Sequence, residues 1–434
     1  MNALTRFLPR LQTHNPVRIR LALQHGVLFS WLIFCSGFLI APQKPALGIA
    51  MYWLILVALV WYAVKRPHVA WNQPLLAAMT LFAAYFVASV AWGAHDTPWP
   101  LLTPLKFALA LLIFMLTTQA LVRRWPQLPE YLLIWLVYLG MAVALATLAN
   151  YFRQLDSAQL HATFKFVLAH ATLRPGDAET TLPRLLGLGN LRNPLVVASV
   201  LGCCGLLATD RLYRVHGPYA RLSCALAAAS CAIVVVLSQS RGPIVLLTVC
   251  LLLVGLIHAR KWQHHVGLLV LVGVIVIPIL FSKSIFLSLE TRGVEMLYRH
   301  EIWGAIWREM PGHWLFGQGL RRNWDVVTPL GVYHHEHSVA LGLLRFGGIV
   351  GLALFGHVVY RFFTCGARVA PPTRNALMVW FAFGLGCQLT NGSFPISHPH
   401  YHWFLLWLPI ALMAAKAALP TSTATAAARP ETVS

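Results

Sequence analysis

Three histidines and a glutamate stand together at His334-His335-Glu336-His337, and Ser338 follows them. They come directly before an apolar run of about 25 residues, which is long enough to cross a bilayer. Ionisable side chains are costly to hold at a membrane boundary and usually mark a site. Neutral imidazoles accept protons near pH 7 and also bind metals, so the cluster indicates either acid–base chemistry or a metal centre.

The spacing of these side chains argues against the metal. His334, His335 and His337 lack the spacing by which one helical face presents two ligands, and no Asp-x-Asp pair occurs in the chain. A further cluster, His398-Pro399-His400-Tyr401-His402, we interpret as an aromatic, polar interface, with a part in shaping an acceptor site as the alternative. We therefore predict acid–base chemistry with no metal and no cofactor.

Three arginines lie where an anion would be bound. Arg192 directly precedes Pro194, which suits the first turn of a helix, and Arg241 lies in the short turn Ser240-Arg241-Gly242 between two apolar runs. Arg299 opens an amphipathic pattern in which Trp303 and Trp307 share a face. A guanidinium matches phosphate oxygens and keeps its charge in a partly dry site, so a lipid phosphate or pyrophosphate is the predicted ligand. The alternative is that these are helix-end or solvated arginines.

Secondary candidates share the same boundary. Arg345 lies within a glycine-rich run after His337, where Gly342, Gly347, Gly348 and Gly351 predict close helix packing, and it needs a partner or a wet groove. It could reach the same anion or extend its head outward. The possible secondary site residues are Ser240, Ser338, Arg345, Arg321 and Arg322.

The elements that position these residues are membrane spans. The chain has 434 residues, 58% of them hydrophobic and 11% charged, with a mean hydropathy of +0.67. Repeated apolar runs predict an all-α integral membrane protein with about twelve spans. We place them at 26–41, 47–64, 74–92, 101–122, 131–150, 194–209, 222–238, 242–258, 266–282, 337–360, 375–391 and 401–419.

The distribution of Lys and Arg orients the spans. Residues 1–25 form a basic tail predicted to be cytoplasmic, and 26–419 form the polytopic membrane domain. Both termini then lie inside, and 151–193 and 283–336 form large outer loops. Residues 420–434, rich in Thr, Ala and Pro, are predicted to be disordered. The net charge of +20 leaves many cations outside, which again indicates an anionic ligand there.

Several motifs, in this order, resemble the O-antigen ligase and polymerase superfamily. They are Ser240-Arg241-Gly242, then Arg299 with Trp303, then Gly317-Gln318-Gly319, and finally His337-Ser338 before the glycine-rich span. Ser338 departs from the commoner Asn, and His334-His335-Glu336 is not part of the pattern. The match covers roughly 190–355 of the chain.

This resemblance implies a metal-independent, inverting glycosyltransferase with a GT-C-like architecture in the bacterial inner membrane, its site facing the periplasm. The donor is an undecaprenyl pyrophosphate-linked O-antigen, the acceptor is lipid A-core, and no nucleic acid is involved. His337 is the implied base, and a hydrogen-bonded histidine that caps the tenth span is the alternative. We interpret His334 and His335 as solvated loop residues. Arg192, Arg241 and Arg299 are the implied pyrophosphate ligands.

Two other activities stay open at this point. A polymerase of the same superfamily would use the same donor and differ in its acceptor. A flippase or transporter of lipid-linked sugars would carry charges deep in several helices, whereas charge here concentrates at the predicted outer boundary. We favour the ligase.

Overall fold

The computed structural model describes residues 16–420 apart from 68, 72, 94–101, 158, 161–182, 259–292, 321–324, 330 and 395. The predicted ninth span, much of the first outer loop, Arg321, Arg322 and the tail from residue 421 lie outside the described residues. Within them the chain is helical except for one small hairpin.

Eight helices precede the second outer loop. They are α1 (Pro16–Ile40), α2 (Lys44–Lys65), α3 (Pro74–Ala88, extended by a 3-10 turn at Ser89–Ala91), α4 (Leu102–Arg124), α5 (Leu128–Arg153), α6 (Pro194–Leu212), α7 (Pro218–Leu237) and α8 (Arg241–His258). Six of these begin at or one residue before a proline, whose fixed φ and missing N–H suit a first turn.

The second outer loop and the closing helices follow. Helix α9 (Gly293–Glu309) precedes strands β1 (Val326–Thr328) and β2 (Gly331–Tyr333), which pair antiparallel; then come α10 (Val339–Gly366), α11 (Pro371–Asn391) and α12 (Leu408–Ala417, preceded by a π-turn at Trp403–Trp407). The all-α prediction therefore holds apart from this hairpin.

Nine helices of the described part are long and apolar enough to cross a membrane. A helix occupies eleven of the twelve predicted positions, but α11 is more polar than the nine and α12 is shorter. A polytopic helical membrane protein is established, whereas the count of twelve and the GT-C-like architecture stay predictions. The first helix begins at Pro16, so the latter part of the predicted basic tail is helical.

Helix α6 lies at the centre of the bundle, where it packs against α5, α7, α8 and α11. Small residues allow this close approach: a side-chain carbon at Gly140 would lie 2.5 Å from Cys204 Cβ, and one at Gly202 would lie 2.6 Å from the ring of Phe383. Close packing of this kind holds helices together in lipid, because the hydrophobic effect does not drive helices to associate when lipid tails surround them.

Helix α10 is broken near its start. Gly348 has φ 61° and ψ −163°, which is not helical. The turn between α9 and the hairpin docks into this break, because Gln318 N–H donates to Arg345 C=O (2.8 Å) and Ile349 N–H donates to Trp314 C=O (2.8 Å). A side-chain carbon at Gly317 would lie 2.4 Å from the Phe346 carbonyl carbon.

The glycine-rich run was predicted to allow helix–helix contact, and this is true of Gly347 and Gly351, which lie against Phe86. Gly348 has a different purpose: it breaks the helix and receives the outer loop. The Gly317-Gln318-Gly319 motif and the glycine-rich span thus pack against each other in one contact.

Candidate active site

His337 lies in the short segment between β2 and α10. Its backbone is left-handed, with φ 53°, a conformation that non-glycine residues rarely adopt. Ser338 follows as the N-cap of α10, with the extended backbone typical of that position. The half-buried imidazole of His337 points to the end of α11, where its Nδ1 lies 2.9 Å from Asn391 Oδ1.

This hydrogen bond selects one tautomer of the ring. An amide oxygen only accepts, so Nδ1 of neutral His337 carries the proton and donates it to Asn391. Nε2 is then the basic nitrogen. Burial lowers the pKa of His337; the bond to Asn391 raises it, and the charge of Arg299 lowers it further. The net lowering favours a neutral, proton-accepting imidazole at neutral pH.

His335 was interpreted as a solvated loop residue, and this is wrong. Its ring centroid lies 3.9 Å from that of His337, and its Nδ1 is buried without a hydrogen-bond partner among the described atoms. Burial, with the neighbouring His337, lowers the pKa of His335 to about 4. The neighbouring His334 does agree with its prediction, because its side chain is exposed and pairs with Asp325 (2.7 Å).

The second histidine cluster adjoins His335. His400 and His402 are buried, their ring centroids lie 4.0 Å apart, and His402 interacts electrostatically with His335. Burial lowers the pKa of His400 well below its ordinary value, and its Nε2 lies 3.0 Å from Ser397 Oγ. These imidazoles are therefore neutral and adjoin His335.

Arg299 lies on α9, six residues after the start of this helix rather than at its beginning. It is half-buried and close enough to act on His337. The predicted Trp303/Trp307 face is divided: Trp303 Nε1 donates to Glu336 C=O (3.1 Å), whereas Trp307 is 49% exposed and packs against Trp314. Trp303 thus fixes α9 to the His337 segment instead of meeting the membrane surface.

Arg345 does not lie open to a ligand, and it does not extend outward. It is 1% exposed and its guanidinium pairs with Glu336 (3.3 Å) and Glu309 (3.1 Å). The expected partner therefore exists within the protein. Burial raises the pKa of Glu336, and the guanidinium opposes this rise. Arg345 is a structural cation, and the interpretation of it as a secondary anion ligand is withdrawn.

Arg241 is the exposed first residue of α8. The turn before it is held by Arg184, whose Nε donates to Ser238 C=O (3.2 Å) and whose Nη2 donates to Ser240 Oγ (3.4 Å). Ser240 is buried and so supports the turn from inside. The sequence did not predict that Arg184 supports this turn, because nothing in the sequence around this outer-loop cation indicates which residues it contacts.

Arg241 and His337 lie at the same end of the bundle, joined by two consecutive residues of α11. A side-chain carbon at Gly242 would lie 3.1 Å from Thr390 Oγ1, and the next residue, Asn391, holds His337. Arg241 and His337 therefore do not lie at opposite ends of the bundle, an arrangement that would have excluded a common site.

Arg192 is exposed at the mouth of α6. Asn193 caps this helix with its side-chain oxygen, which accepts from Leu195 N–H (2.9 Å) and Val196 N–H (3.4 Å), and Pro194 takes the first turn as predicted. The contacts of the described residues do not connect Arg192 with His337. Its place in a common site stays a prediction.

Sequence reasoning missed two further residues of this region, Asn391 and Lys44. The signal for Asn391 was available, since Thr390-Asn391 ends an apolar span at the boundary where His337 begins the preceding one. Lys44, exposed in the first turn of α2, acts electrostatically on His335 and on His398. Among the described residues, no group of three or more His, Cys, Asp or Glu could hold a metal ion.

Comparison with known proteins shows what the chain is similar to. Residues 226–356 match the family described as O-Antigen ligase. An O-antigen ligase of Pseudomonas aeruginosa is 29% identical to the chain over 427 residues, which cover 95% of either chain.

The chain is similar to an O-antigen ligase over nearly its whole length. This similarity indicates an enzyme of the glycosyltransferase type, and the long apolar helices make it a multi-pass membrane protein. The matched O-antigen ligase region contains Arg241, Arg299 and His337, while Arg192 and Asn391 lie outside it.

Proposed function

We propose that the chain transfers O-antigen polysaccharide from undecaprenyl pyrophosphate to lipid A-core at the periplasmic face of the inner membrane. The single observation that carries this proposal is the tautomer of His337: Asn391 accepts the Nδ1 proton, so Nε2 is the proton acceptor. The neutral ring and the nearby cation Arg299 supply the two things that such a transfer needs, a base and a positive charge.

The reaction is a single displacement. The acceptor hydroxyl oxygen forms a bond to the anomeric carbon of the donor while the bond from this carbon to the pyrophosphate oxygen breaks. The hydroxyl proton passes to His337 Nε2, and undecaprenyl pyrophosphate leaves with the bonding electron pair. One displacement inverts the anomeric centre. No metal is needed in this scheme, because arginines stabilise the charge on the leaving group.

Arg299 and Arg241 are the proposed ligands of the pyrophosphate. Arg299 is half-buried beside His337, and Arg241 is exposed on a turn that contacts the same end of α11. Arg192, exposed just before the start of α6, is proposed as a third. A pyrophosphate at the membrane surface is large enough to engage several guanidinium groups at once.

A ligase, rather than a polymerase, is proposed because the Pseudomonas aeruginosa relative that matches 95% of this chain is an O-antigen ligase. The two activities differ in acceptor, so one assay separates them. Purified protein is given lipid-linked O-antigen with or without lipid A-core. A ligase forms the conjugate only with lipid A-core; longer lipid-linked chains formed in its absence would show a polymerase.

The test of the base is His337→Ala in this assay. Transfer should fall by about 10²–10⁴-fold, the usual contribution of a general base. The matched control is His334→Ala, which removes an exposed histidine three residues away and should leave transfer unchanged. Transfer by His337→Ala near the wild-type rate, in protein that inserts normally, would remove the base assignment.

A further inference from the structure

Arg345 connects three separate segments of the protein. Its Nη1 lies 3.3 Å from Glu336 Oε1, and its Nη2 lies 3.1 Å from Glu309 Oε2 and 3.0 Å from Asp325 C=O. Glu309 ends α9, Asp325 precedes β1 and Glu336 precedes His337. One buried side chain of α10 therefore holds the outer helix, the hairpin and the segment that carries the proposed base.

Other contacts strengthen the same connection. Gln318 Nε2 donates to Glu309 C=O (3.1 Å), while Gln318 N–H donates to Arg345 C=O (2.8 Å). Trp303 Nε1 donates to Glu336 C=O (3.1 Å). The end of α9 is thus fixed at Arg345, and its middle is fixed at the residue before His337.

The geometry of α9 determines where Arg299 lies. Arg299 is ten residues before Glu309 on the same helix, about 15 Å along its axis. A small rotation of α9 about its end at Glu309 therefore moves Arg299 much farther than it moves the residues next to Glu309. Keeping Arg299 beside His337 requires a rigid attachment at Glu309.

The chemistry of the attachment suits this purpose. A guanidinium is planar and offers several donors in a fixed fork, so it can serve three acceptors on three segments at defined angles. Glu336 is 0% exposed and Arg345 1%, so neither group exchanges its partner for water. A buried ion pair of this kind adds little net stability, but it is costly to break and specifies one arrangement.

We propose that Arg345 is a positioning residue: through Glu309 and Glu336 it holds α9, and with it Arg299, in register with His337. This inference rests on the proposed function, because it assumes that Arg299 and His337 act on the same donor. Arg345 does not touch the substrate. It acts through the two carboxylates.

The test is Arg345→Met in the full chain, with Arg308→Met as the matched control. Arg308 is an exposed arginine on the last turn of α9, so the control removes the same charge from the same helix. Two measurements are made: kcat and KM for transfer with their pH dependence, and hydrogen exchange of the α9 backbone amides.

We expect Arg345→Met to lower kcat by about 10–100-fold, since small misplacements of catalytic groups cost this much. The acid limb of the kcat profile should move to higher pH, because Arg299 no longer lies beside His337. Exchange in α9 should become at least about 10-fold faster, since opening of the helix end is no longer opposed. The values for Arg345→Lys should lie between those for Arg345→Met and the wild type. Arg308→Met should match the wild type in each measurement.

Arg345→Met also removes the cation beside the fully buried carboxylate of Glu336 and the half-buried carboxylate of Glu309, so a second variant protects the test from misfolding. Arg345→Met combined with Glu309→Gln and Glu336→Gln removes all three charges of this ion-pair network, and with them the guanidinium that joins the segments. We expect it to insert normally and still show the lowered kcat, the shifted limb and the faster exchange. Wild-type values of all three in this variant would overturn the proposal.

The outcomes separate the two proposals. If His337→Ala stays active while the triple variant speeds exchange in α9 and lowers kcat, Arg345 does position α9 and the base is assigned wrongly. If His337→Ala is inactive while the triple variant keeps wild-type exchange and a wild-type limb, the base stands and the positioning role of Arg345 is wrong.

Discussion

Asn391 and His337 meet side chain to side chain across 54 positions of sequence, with Oδ1 and Nδ1 2.9 Å apart. One residue ends α11 and the other precedes α10, so the bond forms where two antiparallel neighbours return to the same surface. A neutral amide orients the ring without adding charge. It therefore selects the Nε2 base and leaves the pKa of His337 low, whereas a carboxylate in its place would raise it.

The first prediction concerns this orienting amide. Asn391→Asp should raise the pKa of His337, because a carboxylate stabilises the imidazolium, and the acid limb of kcat should move to higher pH. Asn391→Leu should move the limb to lower pH, because the bond that raises the pKa is lost, and should lower kcat by about 10-fold or more as the tautomer is released. The pH profile of kcat for both variants is the measurement.

Asn375→Asp is the control for this pair of variants, since Asn375 lies on the same helix near its other end. Its profile should coincide with that of the wild type. Identical limbs in Asn391→Asp, Asn391→Leu and the wild type would mean that Asn391 does not act on the base.

The second prediction is the pH dependence of the wild-type enzyme. The proposed mechanism requires neutral His337, and burial, with a further contribution from Arg299, lowers the pKa of this residue. Activity should therefore be full at neutral pH and decline only as the pH falls through a pKa below the ordinary value of about 6.5. Arg299→Gln removes a positive charge that opposes protonation, so its acid limb should lie at higher pH. A limb at or above the ordinary value in the wild type would contradict this electrostatic account.

The third prediction concerns the proposed arginine ligands of the donor. Arg241→Ala should lower kcat/KM for the lipid-linked donor by about 10–100-fold, the usual magnitude for a hydrogen bond to a charged group. Arg241→Lys should lie between Ala and wild type, because it keeps charge but loses the fork. Arg192 should show the same order. Arg308→Ala, an exposed arginine on α9, is the control and should leave kcat/KM unchanged.

Titration of the lipid-linked donor in vesicles or micelles measures donor binding directly. It therefore distinguishes a role of Arg241 and Arg192 in donor binding from an effect on the acceptor. Wild-type donor affinity and consumption in both alanine variants would show that neither residue is a pyrophosphate ligand.

The fourth prediction concerns metals. Transfer should be unchanged after treatment with EDTA, because the proposed base is an imidazole and the proposed ligands of the leaving group are guanidinium groups. The measurement is conjugate formation before and after chelation, with each divalent ion added back in turn. Loss of transfer that one ion restores would overturn the proposed chemistry.

The sequence alone determined the class of the protein, and it predicted the segment that carries the proposed base. Apolar runs long enough to cross a bilayer are a local property of the chain, and eleven of the twelve predicted positions carry a helix in the described structure. The start of α6 at Asn193-Pro194 and the end of α9 at Glu309, before Pro311-Gly312, follow from equally local rules.

The tertiary structure decided what each charged side chain contacts. Arg345 and Arg299 look alike in the sequence, yet one is enclosed by two carboxylates and the other lies beside His337. His335 looks as solvated as His334 but is buried against its neighbour. Asn391 can bind the ring of His337 only when α10 and α11 pack side by side. Periodicity and composition report the energy of burying a segment in lipid, whereas pairing depends on distances between segments far apart in the chain, which only packing of the folded helices sets.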